Sequence, residues 1–207
     1  NGEYSITIAG ISQRDPGAFP SSRVDSTVTR RGMVGTKGAF TINPRWTFGW
    51  DVLVQSDKNF SATYDIKGFD GAKSSEIFLT GLHDRNYFDL RAYRFFVQES
   101  RLDTHSLARS KQQPWVLPTF DYAKTLDEAV FGGELSFDIN AQGIYREKLG
   151  TTSASRLPAP QGKTGRFTAE TEWRRSFITL GGLVLTPSLS ARGDGIFTNY
   201  SAATPTA

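Results

Sequence analysis

Cysteine is absent from the 207 residues, which excludes a disulfide framework, a thiolate nucleophile and a Cys-based zinc site within this sequence. Histidine occurs only twice, too rarely to build a His-based metal centre, and no metal or other cofactor is expected. Nothing approaches the ~18 consecutive apolar residues of a transmembrane helix. The longest apolar runs, Ile77 to Leu82 and Leu180 to Leu185, are interrupted by Thr or Gly. Long Ala/Leu/Glu/Lys stretches are missing too. Charge of one sign is scarce: 24 basic residues stand against 21 acidic ones, a net of +3, which argues against a nucleic-acid binder and against a disordered polyelectrolyte. The opening Asn1-Gly2-Glu3 has no signal-peptide character, so processing or a fragment is expected.

What is present favours strands and turns. Aromatic residues make up 13% and stand beside 20 glycines, a pairing typical of sheets rather than helices. The 38% hydrophobic share is ordinary for a folded domain. It is equally compatible with a transmembrane β-barrel, whose signal is alternation.

That alternation is clearest from Arg45 to Gln55. Trp46, Phe48, Trp50, Val52 and Val54 fall on one side, while Arg45, Thr47, Gly49, Asp51, Leu53 and Gln55 fall on the other, since side chains flip at each strand residue. Such a strand, tilted near 45°, crosses roughly 25 Å, the height of the apolar band of an outer-membrane barrel. Leu135, Phe137, Ile139 and Ala141 alternate likewise with Glu134, Ser136, Asp138, Asn140 and Gln142. Leu183, Leu185, Pro187, Leu189 and Ala191 alternate with Val184, Thr186, Ser188, Ser190 and Arg192. Phe88, Leu90 and Ala92 oppose Asp89 and Arg91 until Arg94 breaks the pattern, where a bulge or the membrane boundary is expected.

About nine strands follow, at 3–10, 31–43, 45–56, 75–82, 87–97, 114–122, 131–145, 165–177 and 182–198. The connections 11–30, 57–74, 98–113 and 146–164 are long. Those at 43–44, 83–86 and 178–181 are tight, and 123–130 is intermediate. Alternating long and short connections suit an up-and-down barrel with long outer loops and short periplasmic turns better than a soluble sandwich. The stretch 151–165 reads as a flexible surface loop, with a domain linker as the alternative. The expected fold class is all-β: one domain over 1–207 forming part of an antiparallel up-and-down transmembrane barrel wall.

No catalytic residues are expected. His83 and Asp84 occupy a tight turn, His105 lies in a long polar loop, and no strained nucleophile elbow accompanies them. Glu134, Asp138, Glu170 and Glu172 fall on the polar sides of their strands, where solvation accounts for them better than acid/base chemistry does. Trp46, Phe48, Trp50, Val52, Leu135, Phe137, Ile139, Leu185 and Leu189 are the expected lipid-facing set.

The run Pro44 to Asp51 (Pro-Arg-Trp-Thr-Phe-Gly-Trp-Asp), then Gln55 to Asp57 and Tyr64, resembles the barrel domain of the LptD family of lipopolysaccharide-assembly proteins, also called organic solvent tolerance proteins. Phe78 to Gly81 with Arg85 to Asp89, Pro114 to Tyr122, Gly132 to Phe137, Glu172 to Arg175, Thr186-Pro187 and Arg192 to Asp194 continue the likeness in order. It covers roughly residues 31–199 and is of the alphaproteobacterial kind. The family is similar in joining a periplasmic jelly-roll domain to a very large barrel of ~26 strands. This sequence lacks the jelly roll, the Cys pairs of some members and a closing strand with a terminal aromatic, so a piece of the barrel wall is expected.

The resemblance implies a non-enzymatic translocon component in the outer membrane of a Gram-negative bacterium. It would insert lipopolysaccharide into the outer leaflet, receiving it from a periplasmic transport bridge. Its partners would be lipopolysaccharide, an LptE-like lipoprotein plug, that bridge and outer-membrane lipids, with no nucleic acid. Arg45, Arg91, Arg174 and Arg192 alternate onto the expected lumen side, where guanidinium forks suit lipid phosphates. Pairing with carboxylates such as Asp51, Asp89 or Glu172 is the alternative. A passive porin-like channel and a soluble carbohydrate-binding β-module are the rival functions.

Overall fold

Alternating side chains with turn residues between them produce a long meander in the computed structural model, which describes residues 1–19, 26–57, 60–69, 73–96, 112–148 and 160–200. The strands are β1 (Gly2–Ser12), β2 (Arg30–Asn43), β3 (Trp46–Gln55), β4 (Lys73–His83), β5 (Asn86–Phe96), β6 (Trp115–Thr125), β7 (Glu134–Arg146), β8 (Gly162–Arg174), β9 (Phe177–Ile178), β10 (Val184–Leu185) and β11 (Ser188–Tyr200). A short helix, α1 (Phe60–Thr63), and a 3-10 turn at Pro16–Ala18 complete the described elements. Nine strands form one antiparallel sheet in the order β1 to β8 and then β11, while β9 and β10 pair only with each other. Each chain neighbour in the large sheet is a spatial neighbour. The sheet is not closed on itself: β1 and β11 are its edges.

Register carries one apolar face across the whole sheet. Ile8, Val34 and Val54 are opposed in sequence across β1, β2 and β3. Phe40, Phe48, Leu79, Leu90 and Phe120 form a transverse row from β2 to β6. Phe88, Tyr122, Ile139 and Ala169 make another, and Leu135, Trp173 and Leu189 a third. Rings on this face contact one another in chains: Tyr4 with Phe40, Phe40 with Trp50 and Trp50 with Phe48, then Trp46 with Phe88, Phe88 with Phe120 and Phe120 with Tyr122. Cross-strand aromatic pairs stabilise a sheet by about 0.2–1 kcal/mol each. Several of the large side chains stay bare, Ile8 at 75% and Leu189 at 73%, a contiguous exposure that suits a nonaqueous surrounding.

On the two flanks of β3, three cross-strand rings lie directly over glycines, where no side chain competes for the space. Trp50 faces Gly38, Trp46 faces Gly81, and Phe78 faces Gly49 on the opposite side of the sheet. A Cβ on any of these glycines would come within 2.4–2.8 Å of the ring.

Short connections gather at one end and long ones at the other, as the spacing predicts. Asn43 Oδ1 accepts hydrogen bonds from the backbone N–H groups of Arg45 (2.9 Å) and Trp46 (3.1 Å), the local bonding that makes Asn a turn former. At 84–85 the turn uses Asp84 at φ 44°. The irregularity foreshadowed by Arg94 is present: the β5–β6 register shifts between Arg91 and Tyr93, and the Arg94 guanidinium stacks 4.4 Å from the Trp115 ring centre.

The last two predicted strands require correction. The expected strand 165–177 is β8 followed, after a break, by β9, and 182–198 is β10 and then β11. Pro187 has no N–H to give a ladder, although its carbonyl accepts from Arg175 N–H at 3.1 Å. The 178–181 turn is therefore the end of a projecting hairpin. The expected strand at 131–145 begins later, because Val130 and Gly133 bond across a tight turn with Phe131 at φ 50°. Of the expected loop 151–165, residues 151–159 lie outside the described residues, and 162–165 open β8.

The buried apolar cluster is not on the apolar face. Met33 and Leu53, side by side with Gly35 on the other face, are covered by Phe60 and Phe69 from the connection between β3 and β4. This connection folds back over the sheet through α1 and a turn in which Ile66 N–H reaches Ser61 O and Phe69 N–H reaches Ile66 O. Arg31 holds Asp57 with two hydrogen bonds, 2.8 and 2.9 Å, and its guanidinium lies 5.5 Å from the Phe60 ring centre and 5.4 Å from that of Tyr64. Both charged side chains are nearly dry, 1% and 9% exposed, so losing either partner would cost about 3–5 kcal/mol.

Candidate functional site

The other face of the large sheet is a field of paired charges. Its rows are set by the same registers: Asp89, Asp121, Asn140, Thr168 and Asp194 run across β5, β6, β7, β8 and β11. Beside them run Asp138, Glu170 and Arg192, and at the short-turn end Glu134, Arg174 and Ser188. A polar side chain can occupy each position because, among the described residues, this face is open above the strands apart from the folded-back segment 60–69.

Of the four arginines expected here, three are on the polar face and each is held by acid. Arg91 Nε donates to Asp89 Oδ1 at 2.7 Å, Nη2 to Asp89 Oδ2 at 2.8 Å, and Nη1 to Glu76 Oε1 at 2.7 Å. It also lies 5.3 Å from the Phe78 ring centre. Arg174 donates from Nε and Nη2 to Glu134 Oε1, at 2.9 and 2.6 Å. Arg192 Nε donates to Asp194 Oδ2 at 3.0 Å, and its Nη1 is 3.7 Å from Glu170 Oε2. Arg45 is different. It is exposed in the β2–β3 turn, outside the strands, and carries no ion pair among the described residues.

Burial separates the three. Arg91 is the most enclosed at 32% side-chain exposure, whereas Arg174 and Arg192 keep 58% and 52%. The ion pairs of the last two are consequently well solvated and hold their partners only weakly. The carboxylate pairing anticipated through Asp89 is present. Asp51 instead meets Lys37, at 3.4 Å.

Sequence reasoning missed several members of this face. Arg85 projects from the β4–β5 turn and shares Glu134 with Arg174. Glu76, Arg166 and Asp194 join the network, with Thr168 Oγ1 donating to Asp194 Oδ1 at 2.6 Å. Strand parity alone could have placed Glu76 and Arg166; the Arg85–Glu134 contact depends on register and on a turn, and had no local signal. Among the expected lipid-facing residues, Trp46, Phe48, Trp50, Val52, Leu135, Phe137, Ile139 and Leu189 share the apolar face through the registers above. Leu185 instead pairs with Phe177 in the small hairpin beyond the sheet.

His83 Nε2 is 3.0 Å from Asp84 Oδ2 on an exposed turn. No group of three or more His, Cys, Asp or Glu is placed to hold a metal among the described residues, and His105 lies outside them. What the face can do is present a polar, ion-paired surface backed by an apolar one.

The family model described as LPS transport system D covers residues 29–206. No curated protein and no solved structure matches the chain.

Proposed function

The chain belongs to the LptD family, and on that premise we propose that its sheet is part of the wall of an outer-membrane barrel that inserts lipopolysaccharide into the outer leaflet. Family membership ties the chain to lipopolysaccharide transport to the outer membrane. The observation that supports the finer reading is the two-sided sheet, with a continuous apolar face whose large side chains are bare and an opposite face of paired charges. In this reading the apolar face meets lipid and the charged face lines the passage.

The cargo has sugars and phosphates at one end and acyl chains at the other. A hydrated face with exchangeable ion pairs can accommodate the first, while the second travels toward the bilayer; the work is transfer and breaks no bond. Arg174 and Arg192, half exposed and weakly held, are the arginines we assign to phosphate contact. Arg91, clamped by Asp89 and Glu76, is assigned to holding the wall. Arg45, in the short-turn connection, is assigned to the periplasmic rim, where lipid arrives from the transport bridge. An LptE-like lipoprotein would fit against the charged face.

Photo-crosslinking amino acids at Thr47, Asp51, Glu170 and Glu172 of the full-length protein in cells test this assignment. Capture of lipopolysaccharide or a lipoprotein is the expected result. Capture of neither, with steady ion conductance from the intact barrel, would replace the reading with that of a porin.

A further inference from the structure

At its short-turn end the apolar face stops being apolar. Register sets His83, Asn86 and Lys124 in one transverse row, and Gly81, Phe88 and Tyr122 in the row next to it, with Trp46 opposite Gly81. The parity that puts Phe88 and Tyr122 on the apolar face puts His83, Asn86 and Lys124 there too. Arg45, exposed in the turn before β3, lines one concavity of about 220 Å³ with Trp46, His83, Asn86, Phe88 and Tyr122. Its floor is the Trp46 indole, which rests over Gly81 and meets Phe88 edge-on at 5.0 Å between ring centres. Asn86 Oδ1 is buried there without a hydrogen-bond partner among the described residues. Neither Arg45 nor Lys124 makes an ion pair among the described residues, and Asp84, the carboxylate of the adjoining turn, stands 3.0 Å from His83. The charged face differs, since Arg85, Arg91, Arg174 and Arg192 are each held there by acid.

We propose that this concavity is a headgroup site for an anionic glycerophospholipid of the periplasmic leaflet, on the outside of the wall, with Arg45 and Lys124 binding the lipid phosphate. This rests on the reading of the apolar face as the lipid-facing one and of the short connections as periplasmic. Three observations select the occupant. The concavity is continuous with the lipid-facing rows, so Trp46, Phe88 and Tyr122 receive the first methylenes of an acyl chain. Its two cations lack carboxylates, and a guanidinium fork beside an ammonium suits a phosphate. A long basic side chain at a strand end extends along the wall to headgroup level, which is where that phosphate sits. The orphaned Asn86 oxygen calls for a donor, and a headgroup hydroxyl supplies one. A zwitterionic headgroup fits less well, because its own cation is repelled by Arg45 and Lys124. The bound lipid is a resident of the outer side of the rim, separate from the cargo on the charged face.

The test uses the purified full-length protein, with its native lipoprotein partner, in nanodiscs doped with either phosphatidylglycerol or phosphatidylcholine carrying the same photoreactive diazirine acyl chain. Labelled peptides are mapped by mass spectrometry. Phosphatidylglycerol should label the peptides holding Trp46, Phe88 and Tyr122 severalfold more than phosphatidylcholine does, while the two lipids label Val52 and Ile77, farther along the wall, equally. In the assembled double variant Arg45→Gln, Lys124→Gln the excess should vanish and the labelling of Val52 and Ile77 should persist. Equal labelling of the concavity by both lipids in the parent overturns the proposal, and that comparison decides the matter even where the double variant fails to assemble. An excess that survives in the assembled double variant overturns it equally. Absence of labelling at Val52 and Ile77 by either lipid would instead remove the lipid-facing reading of the whole face, and this site with it.

Discussion

Phe48 and Thr47 are neighbours in sequence and opposites in surroundings. Phe48 sits in the transverse row with Phe40 and Leu79, and Thr47 is paired with Thr41 and Thr80. A charged group at the lipid midplane costs about 2–4 kcal/mol, so Phe48→Arg and Phe137→Arg should sharply reduce the amount of assembled barrel, whereas Thr47→Arg and Ser136→Arg should leave most of it. The readout is heat-modifiable protein in the outer-membrane fraction, and equal losses from both sets would reverse the assignment of faces. Much of this is legible in the sequence, because a two-residue period needs no partner to be recognised. The ion pairs are less so. Arg91 and Asp89 are two apart on one strand, but the third member, Glu76, is brought in by β4 register. Leu53, apolar among polar neighbours, is a sequence signal of the folded-back segment, yet it does not say what covers it.

Among the elements, the strands of the large sheet follow their alternation closely and the β8–β11 connection does not. The apolar series Leu183, Leu185, Leu189 continues in step through Pro187, and the pairing on either side of the break keeps the same offset, Val184 with Ile178 and Ser188 with Arg174. Periodicity is blind to a missing hydrogen bond, so one strand is read where two exist. Since β9 and β10 pair only with each other, they contribute little to the sheet. Ser176 Oγ and Thr186 Oγ1 stand 3.0 Å apart at the root of this hairpin. Replacing 177–185 by an Asn-Gly turn should therefore preserve assembly, with the unfolding temperature on a heat-modifiability gel moved by no more than a few degrees. Collapse of assembly would mean that the hairpin supports the wall.

The large sheet is a single layer with its two edge strands, β1 and β11, unpaired on their outer sides among the described residues. In hydrocarbon each unsatisfied backbone group costs several kcal/mol, and in water a flat edge recruits other edges. Residues 1–207 produced alone should accordingly self-associate in detergent. Light scattering coupled to size exclusion should give a broad, concentration-dependent mass, and a monodisperse monomer that shifts on heating would contradict the open sheet. The meander order was readable from the alternation of long and short connections; the absence of closure is a property of the ends, which local patterning does not report.

The rings lying over glycines have a consequence for how the wall finds its alignment. Slipping a strand by one residue turns its apolar face to the wrong side and is heavily disfavoured, but a slip of two restores the faces and leaves the hydrophobic pattern satisfied. Binary patterning cannot detect that error. Trp50 can: displaced by two along β2 it would stand opposite Phe40 or Thr36 instead of Gly38, with no vacancy for an indole. Trp46 against Gly81 and Phe78 against Gly49 apply the same check between β3 and β4, from both sides of the sheet. The three pairs make β3 a proofreading strand, keyed on each flank to the one alignment in which its bulky groups have somewhere to go.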